Sequence, residues 1–196
     1  MKIMKFVKIF IVILTSFTFF GFNEIKSKKI NTEDSIVKWI GYKVTGQHEG
    51  TIKLKEGELK FNNNDLIDGT FVMDMSTINT TDLEGGSKNR LDGHLKNEDF
   101  FGVDKHKYAM MSFVNIEKAS SNNIDVKSYK INADLTIKGI TNEISFLINI
   151  SKNSATTSLK IDRTKFNIKY GSASFFDGLK DRAIYDEFDL DVRLNF

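Results

Sequence analysis

From Ser128 to Gly139 the chain alternates apolar and polar residues without a break. Tyr129, Ile131, Ala133, Leu135 and Ile137 share one parity, and Lys130, Asn132, Asp134, Thr136 and Lys138 share the other. A period of two puts the two sets on opposite faces of a β-strand, one buried and one wetted. The pattern recurs with Phe71, Met73 and Met75, again with Ile144, Phe146, Ile148 and Ile150, and again with Phe188, Leu190, Val192, Leu194 and Phe196. Residues 35–44, 110–117, 158–163 and 165–170 read as further strands. Residues 50–61 (GTIKLKEGELKF) read as a hairpin turning at Glu56-Gly57. No long amphipathic helix exists to cover an open sheet, so the strands must close on themselves or fold into a sandwich. Periodicity does not choose between the two. Eight antiparallel strands make a barrel whose interior is filled by side chains or holds one small ligand.

One stretch breaks the alternation. Leu91 to Phe113 (LDGHLKNEDFFGVDKHKYAMMSF) contains His94, His106 and the pair Phe100-Phe101. A short helix is expected over 87–95, with Ser87 as its N-cap and Asp99 as a second cap. Two adjacent Phe side chains beside a short polar helix need a buried place. The simplest arrangement is a plug, which gives an all-β fold: an antiparallel barrel of about eight strands with a short helix closing one end.

The 196 residues amount to one domain. Residues 1–22 read as a secretory signal peptide: Lys2, Lys5 and Lys8 precede an uncharged, mostly apolar run of 14 residues, Ile9 to Phe22. That run falls short of the roughly 20 residues of a membrane-spanning helix. Residues 23–34 read as a polar spacer, and 35–196 as the barrel. The expected location is therefore periplasmic or secreted, after cleavage. The chain has no Cys, which excludes disulfides and a lipid-modified N-terminal cysteine. Without the three signal lysines, 25 of the 28 basic residues face 26 acidic ones. This near-neutral balance gives no reason to expect nucleic acid or an anionic membrane surface as a partner.

Five short motifs, in order, resemble those of the YceI-like family. They are SIVKWIGYKVTGQHEG (Ser35 to Gly50), GTFVMD (Gly69 to Asp74), the H-L-x-x-x-D-F-F element from His94 to Phe101, DLTIKGIT (Asp134 to Thr141) and IDRTKFNIKYG (Ile161 to Gly171). The resemblance implies a lipocalin-like, elongated barrel that holds a long amphiphile in its lumen, a polyisoprenoid, an isoprenoid quinone or a fatty-acid derivative. It implies no cofactor beyond such a ligand, and transient contact with a membrane or quinone protein during delivery. The chain departs from the family pattern at Ala109, where many members carry Pro after the preceding aromatic residue.

Trp39, Phe61, Phe71, Met73, Met75, Phe100, Phe101, Met111, Phe113, Ile131 and Phe146 are candidates to line a lipid tunnel. The competing reading is that they fill a solid core. Phe71, Met73 and Met75 are the strongest, because Met adapts to flexible apolar chains. His48, His94 and Arg163 are candidates for contact with a polar headgroup. The bland alternatives are hydrogen-bonded structural histidines and a salt bridge between Asp162 and Arg163. The three histidines lack the local spacing of a metal site. No nucleophile elbow, phosphate loop or metalloprotease motif is present. A non-enzymatic carrier is thus expected. Its rivals are a lipid-acting enzyme using His94 and Asp99 as acid and base, and a ligand-free envelope protein. Strand pairing through the last strand, 187–196, would make a homodimer.

Overall fold

The computed structural model describes residues 24–196, so the expected signal segment at 1–22 lies outside the described residues. The described residues form nine strands and one α-helix: β1 (Ile25–Lys29), β2 (Asn31–Lys43), β3 (Gly46–Asn62), β4 (Asp65–Thr80), α1 (Gly85–Lys96), β5 (Tyr108–Ala119), β6 (Lys127–Ile137), β7 (Ile140–Ile150), β8 (Ser154–Asp162) and β9 (Ile184–Asn195). All pairings are antiparallel. β2 through β9 close into an eight-stranded barrel, with β2 hydrogen-bonded to β9 and β3 to β4. The alternation leaves barrel and sandwich open; the lipocalin-like barrel that the resemblance implies is the observed fold. β9 is bonded to β2 on one edge and to β8 on the other. It therefore offers no free edge for the strand pairing that would make a homodimer.

β1 is the extra strand, and it corrects the expected spacer at 23–34. It pairs with the second half of β3, from Lys29 opposite Glu58 to Ile25 opposite Asn62, while β2 takes the first half. The two N-terminal strands thus lie end to end along β3. The break between them is pinned by Ile30, whose N–H donates to the Gly57 carbonyl at 2.9 Å. β1 (IKSKK) is almost wholly exposed. Backbone bonds to an open edge recruit it, so it carries no hydrophobic period.

The expected hairpin at Glu56-Gly57 is also corrected: β3 runs through both residues. Its register against β4 shifts between Thr51 and Lys53 and between Leu54 and Glu56. Such bulges bend a strand around a barrel without ending it. Gly57 is needed at the bend, since a Cβ there would lie 2.9 Å from both Ile30 and Phe71. The tight turns are elsewhere. Asn63 and Asn64 join β3 to β4, and Lys138 and Gly139 join β6 to β7, all four with positive φ, as two-residue hairpin turns require.

Strand direction sorts the connections. One end of the barrel carries short connections: the β3–β4, β5–β6 and β7–β8 turns. The other end carries both long excursions, 81–107 with α1 and 163–183 with two short 3₁₀ turns. The first end is packed solid. Leu59, Phe61, Leu66, Tyr129 and Ile131 are buried there, and Phe61 packs on Phe196 at 6.2 Å between ring centroids. The second end is hollow.

Candidate functional site

The hollow is an apolar cavity of about 190 Å³ walled by side chains from all eight barrel strands, α1 and the turn that follows it. β2 contributes Trp39, β4 contributes Phe71, Met73 and Met75, β5 contributes Met111 and Phe113, and β7 contributes Phe146. Phe100 and Phe101 close it from the excursion side. Phe61 and Ile131, expected in the same lining, are not part of the wall. They share its parity but lie toward the solid end, where neighbouring side chains meet and fill the lumen. Val37, Leu54, Leu95, Phe188 and Leu190 also line the cavity and were not among the candidates. For β9 the signal was present, since Phe188 and Leu190 belong to its alternating face.

Glycines let the large rings lie flat in the wall. Trp39 sits opposite Gly50 in the β2–β3 register, and a Cβ on Gly50 would come within 2.5 Å of the indole and collide with the Asn79 carbonyl. A Cβ on Gly69 would collide with the Phe113 ring. Phe113 in turn lies 5.7 Å from Phe71 and 6.0 Å from Phe146. Glycine under an aromatic neighbour therefore sets how far each ring retreats from the lumen.

The plug is held by a polar hinge. α1 begins after Glu84, which makes no side-chain capping bond. Ser87, the expected N-cap, lies inside the helix and accepts from Arg90 Nη2 at 3.0 Å. Asp92 receives the Thr80 N–H at 2.8 Å, the Thr80 hydroxyl at 2.6 Å and Lys88 Nζ at 2.9 Å. Burial opposes ionisation of Asp92, but the bonds from Thr80 and Lys88 outweigh it and hold the carboxyl below the usual carboxylate range. Beyond α1, the amides of Phe101 and Val103 donate to the carbonyls of Leu95 and Lys96 at 3.1 and 2.9 Å. This tight turn, with Gly102 at φ +57°, aims Phe100 and Phe101 into the barrel. Asp99, expected as a cap, is exposed in the turn and starts no helix.

The polar candidates part company. His48 is outside the cavity, its Nδ1 2.8 Å from Asp82 Oδ2, tying the β2–β3 turn to the segment after β4. His94 lies behind the wall, edge-on to Phe100 at 5.5 Å and to Tyr170 at 4.4 Å. Its Nε2 is buried without a hydrogen-bond partner among the described residues. No hydrogen bond or ion pair joins His94 to Asp99, so the acid–base pair of the enzymatic reading is not assembled. His106 packs against Gly102 and Gly139. Arg163 is the one that reaches the cavity wall. It is 2% exposed, and its Nε, Nη1 and Nη2 donate to the carbonyls of Tyr185, Ile168 and Ile184 at 3.0, 2.8 and 3.0 Å. Its guanidinium carbon stands 5.5 Å from the Phe100 ring centre. The expected pairing with Asp162 is replaced by Asp186, 3.7 Å from Nη2. Asp162 instead caps the 3₁₀ turn, accepting the Thr164 N–H at 2.9 Å. Burial pulls the Arg163 pKa down, and the charges of Asp186 and Asp162 oppose that shift.

The cavity wall includes exposed residues at the start of β9, Tyr185 and Glu187. The β2–β9 register breaks beside them, between Gly41 and Lys43. Among the described lining residues, Arg163 and Glu187 are the charged ones. The site is thus a greasy pocket with a cation near a wetted rim. Such a lining is chemically suited to an apolar tail with a polar end near water.

A profile of the YceI-like domain matches residues 28–196. A UPF0312 protein of Staphylococcus aureus (bovine strain RF122) is 30% identical over 171 residues, 82% of this chain and 86% of the relative. Among solved structures, BcnA of Burkholderia cenocepacia superposes with a TM-score of 0.67 at 18% identity, covering 84% of this chain and 98% of that one. A polyisoprenoid binding domain from Saccharophagus degradans, implicated in plant cell wall breakdown, superposes with a TM-score of 0.57 at 12% identity, covering 87% and 97%. This chain belongs to the YceI-like domain family.

Proposed function

For this member of the family we propose a non-enzymatic role: an exported carrier that sequesters or transports a polyisoprenoid, an isoprenoid quinone or another long amphiphile in its barrel. The observation that carries the proposal is the cavity itself. A hollow of about 190 Å³ in an apolar interior forgoes the side-chain contacts that a closely packed core makes. A fold selected only for stability would close it. A ligand tail repays burial at about 0.8 kcal/mol per CH₂. The ligand-free envelope protein, by contrast, calls for a solid core. Among the described residues Arg163 supplies the cationic side chain of the wall, and it is the group to which the polar end of the ligand is assigned. The domain of Saccharophagus degradans named for polyisoprenoid binding has the same fold, which supports the same ligand class here.

The test is mass spectrometry of an organic extract from protein purified without detergent. A stoichiometric prenyl quinone, polyprenyl derivative or fatty-acid derivative is expected. Phe71→Asp places a carboxylate in the wall and should abolish retention of that ligand in a protein that still folds. A clean extract, together with no uptake when such lipids are supplied, would sink the carrier reading.

A further inference from the structure

The excursion from 163 to 183 leaves two Phe side chains in water beside the hollow end of the barrel. Phe175 is 48% exposed and Phe176 51%. They are not loose. The Ile184 N–H donates to Gly171 at 2.8 Å and closes the base of the loop. The amides of Phe175 and Phe176 both donate to the carbonyl of the fully buried Ser172, at 3.2 and 3.0 Å. The Ser174 hydroxyl donates to Asp186 at 2.6 Å. A loop anchored at this many points presents its apolar pair instead of burying it, although an apolar interior lies close by.

Charge says what the pair faces. From 165 to 182 the segment holds four basic residues, Lys165, Lys169, Lys180 and Arg182, against two acidic ones, Asp177 and Asp181. All four basic side chains are exposed, and none forms an ion pair among the described residues. Lys169 Nζ lies 4.6 Å from the Phe175 ring centre. Aromatic rings flanked by unpaired cations suit the interface of a bilayer with anionic lipids, rings at the headgroup level and cations at the phosphates. The loop is also continuous with the cavity. Tyr170, 48% exposed, abuts His94, which abuts Phe100, and Phe100 abuts Phe101 at 5.1 Å. Both Phe residues are cavity wall.

We infer that the 165–182 segment docks the barrel onto an anionic lipid bilayer, with Phe175 and Phe176 inserted at the headgroup level and the cavity end turned to the membrane. This rests on the carrier reading, since it places the rim where a lipid ligand enters.

The chain has no Cys, so one introduced thiol is unique. An environment-sensitive NBD dye on Ala173→Cys, beside the Phe pair, is compared with the same dye on Asn122→Cys, in the β5–β6 turn at the opposite end. With phosphatidylglycerol–phosphatidylcholine vesicles the dye at 173 should shift blue and brighten several-fold, and the dye at 122 should not respond. Phosphatidylcholine alone should weaken partitioning about five-fold for each basic side chain that faces the bilayer. Adding Phe175→Ser and Phe176→Ser should remove the response at 173. No response at 173, an equal response at 122, or a blue shift without vesicles that grows with protein concentration, the sign of pairing between copies, would each overturn the docking. The extract separates the two ideas. A loaded barrel whose dye ignores vesicles leaves the carrier standing without this docking surface. An empty barrel whose dye enters them keeps the docking and removes the carrier.

Discussion

The two ends of this barrel are built from the same strands and the same alternating code, yet one is solid and the other hollow. At the solid end Leu59 and Ile131 are fully buried, short turns connect the strands, and β1 reinforces β3. At the hollow end Met73 is only partly buried, the rings of Trp39 and Phe113 lie back over glycines, and a helix and two Phe residues form the stopper. Alternation decides which side chains point inward. Whether they meet is decided by what stands across the lumen and by how closely each ring lies against its own wall.

That contrast is open to direct attack. The largest expected effect is truncation at the solid end: Ile131→Ala should cost about 2–5 kcal/mol, read from urea unfolding. Met73→Ala, in a wall already bordering empty space and already partly exposed, should cost clearly less. Equal costs would mean that the hollow collapses around a smaller residue and that the two ends do not differ. Enlargement should separate them by sign. Ile131→Phe overpacks a filled lumen and should cost about 1–3 kcal/mol. Met73→Trp has room to grow into, so it should leave stability unchanged or raised while excluding the ligand.

The hinge of the stopper comes next. Asp92→Ala strands the buried Thr80 N–H and Lys88 without their acceptor, at a cost of about 1–3 kcal/mol. The sign of its pH dependence follows from the lowered carboxyl pKa. The stabilisation is complete above the unfolded-state value of about 4 and is lost as pH falls through the lower folded value. Asp92→Asn should therefore flatten the acid limb of the stability profile. A profile unchanged by that substitution would mean the Asp92 charge does not hold the stopper.

Much of this molecule was legible in its residues. The inward face of β6, from Tyr129 to Ile137, is buried as its alternation demands, and the motif from His94 to Phe101 does close one end. What failed has specific causes. β1 carries no apolar period because backbone bonding alone recruits it. Glu56-Gly57 mimics a turn because a bulge and a close-approach glycine use the same residue types. Adjacency in the sequence points Arg163 to Asp162, whereas the return of Asp186 from the far side of the 163–183 excursion is not visible there. Phe61 and Ile131 were grouped with the cavity wall because parity reports direction but not distance along the barrel axis.

The smallest effect belongs to the solid end. Asp65, in the β3–β4 turn, takes Lys118 Nζ at 2.7 Å and Lys127 Nζ at 3.0 Å, clamping that turn to β5 and β6. The hydrogen bonds from Lys118 and then Lys127 hold its carboxyl below the usual range. By sign this cluster stabilises above pH about 4 and fades below it, in parallel with Asp92. The two sites differ in exposure. Both lysines and much of Asp65 are in water, where screening and side-chain entropy leave exposed pairs little net effect. Lys118→Ala should therefore move the thermal midpoint barely beyond experimental error, and added salt should erase the difference. A loss as large as that of Asp92→Ala would show that the solid end depends on its polar clasp as much as the hollow end does, and packing alone would no longer account for the difference between them.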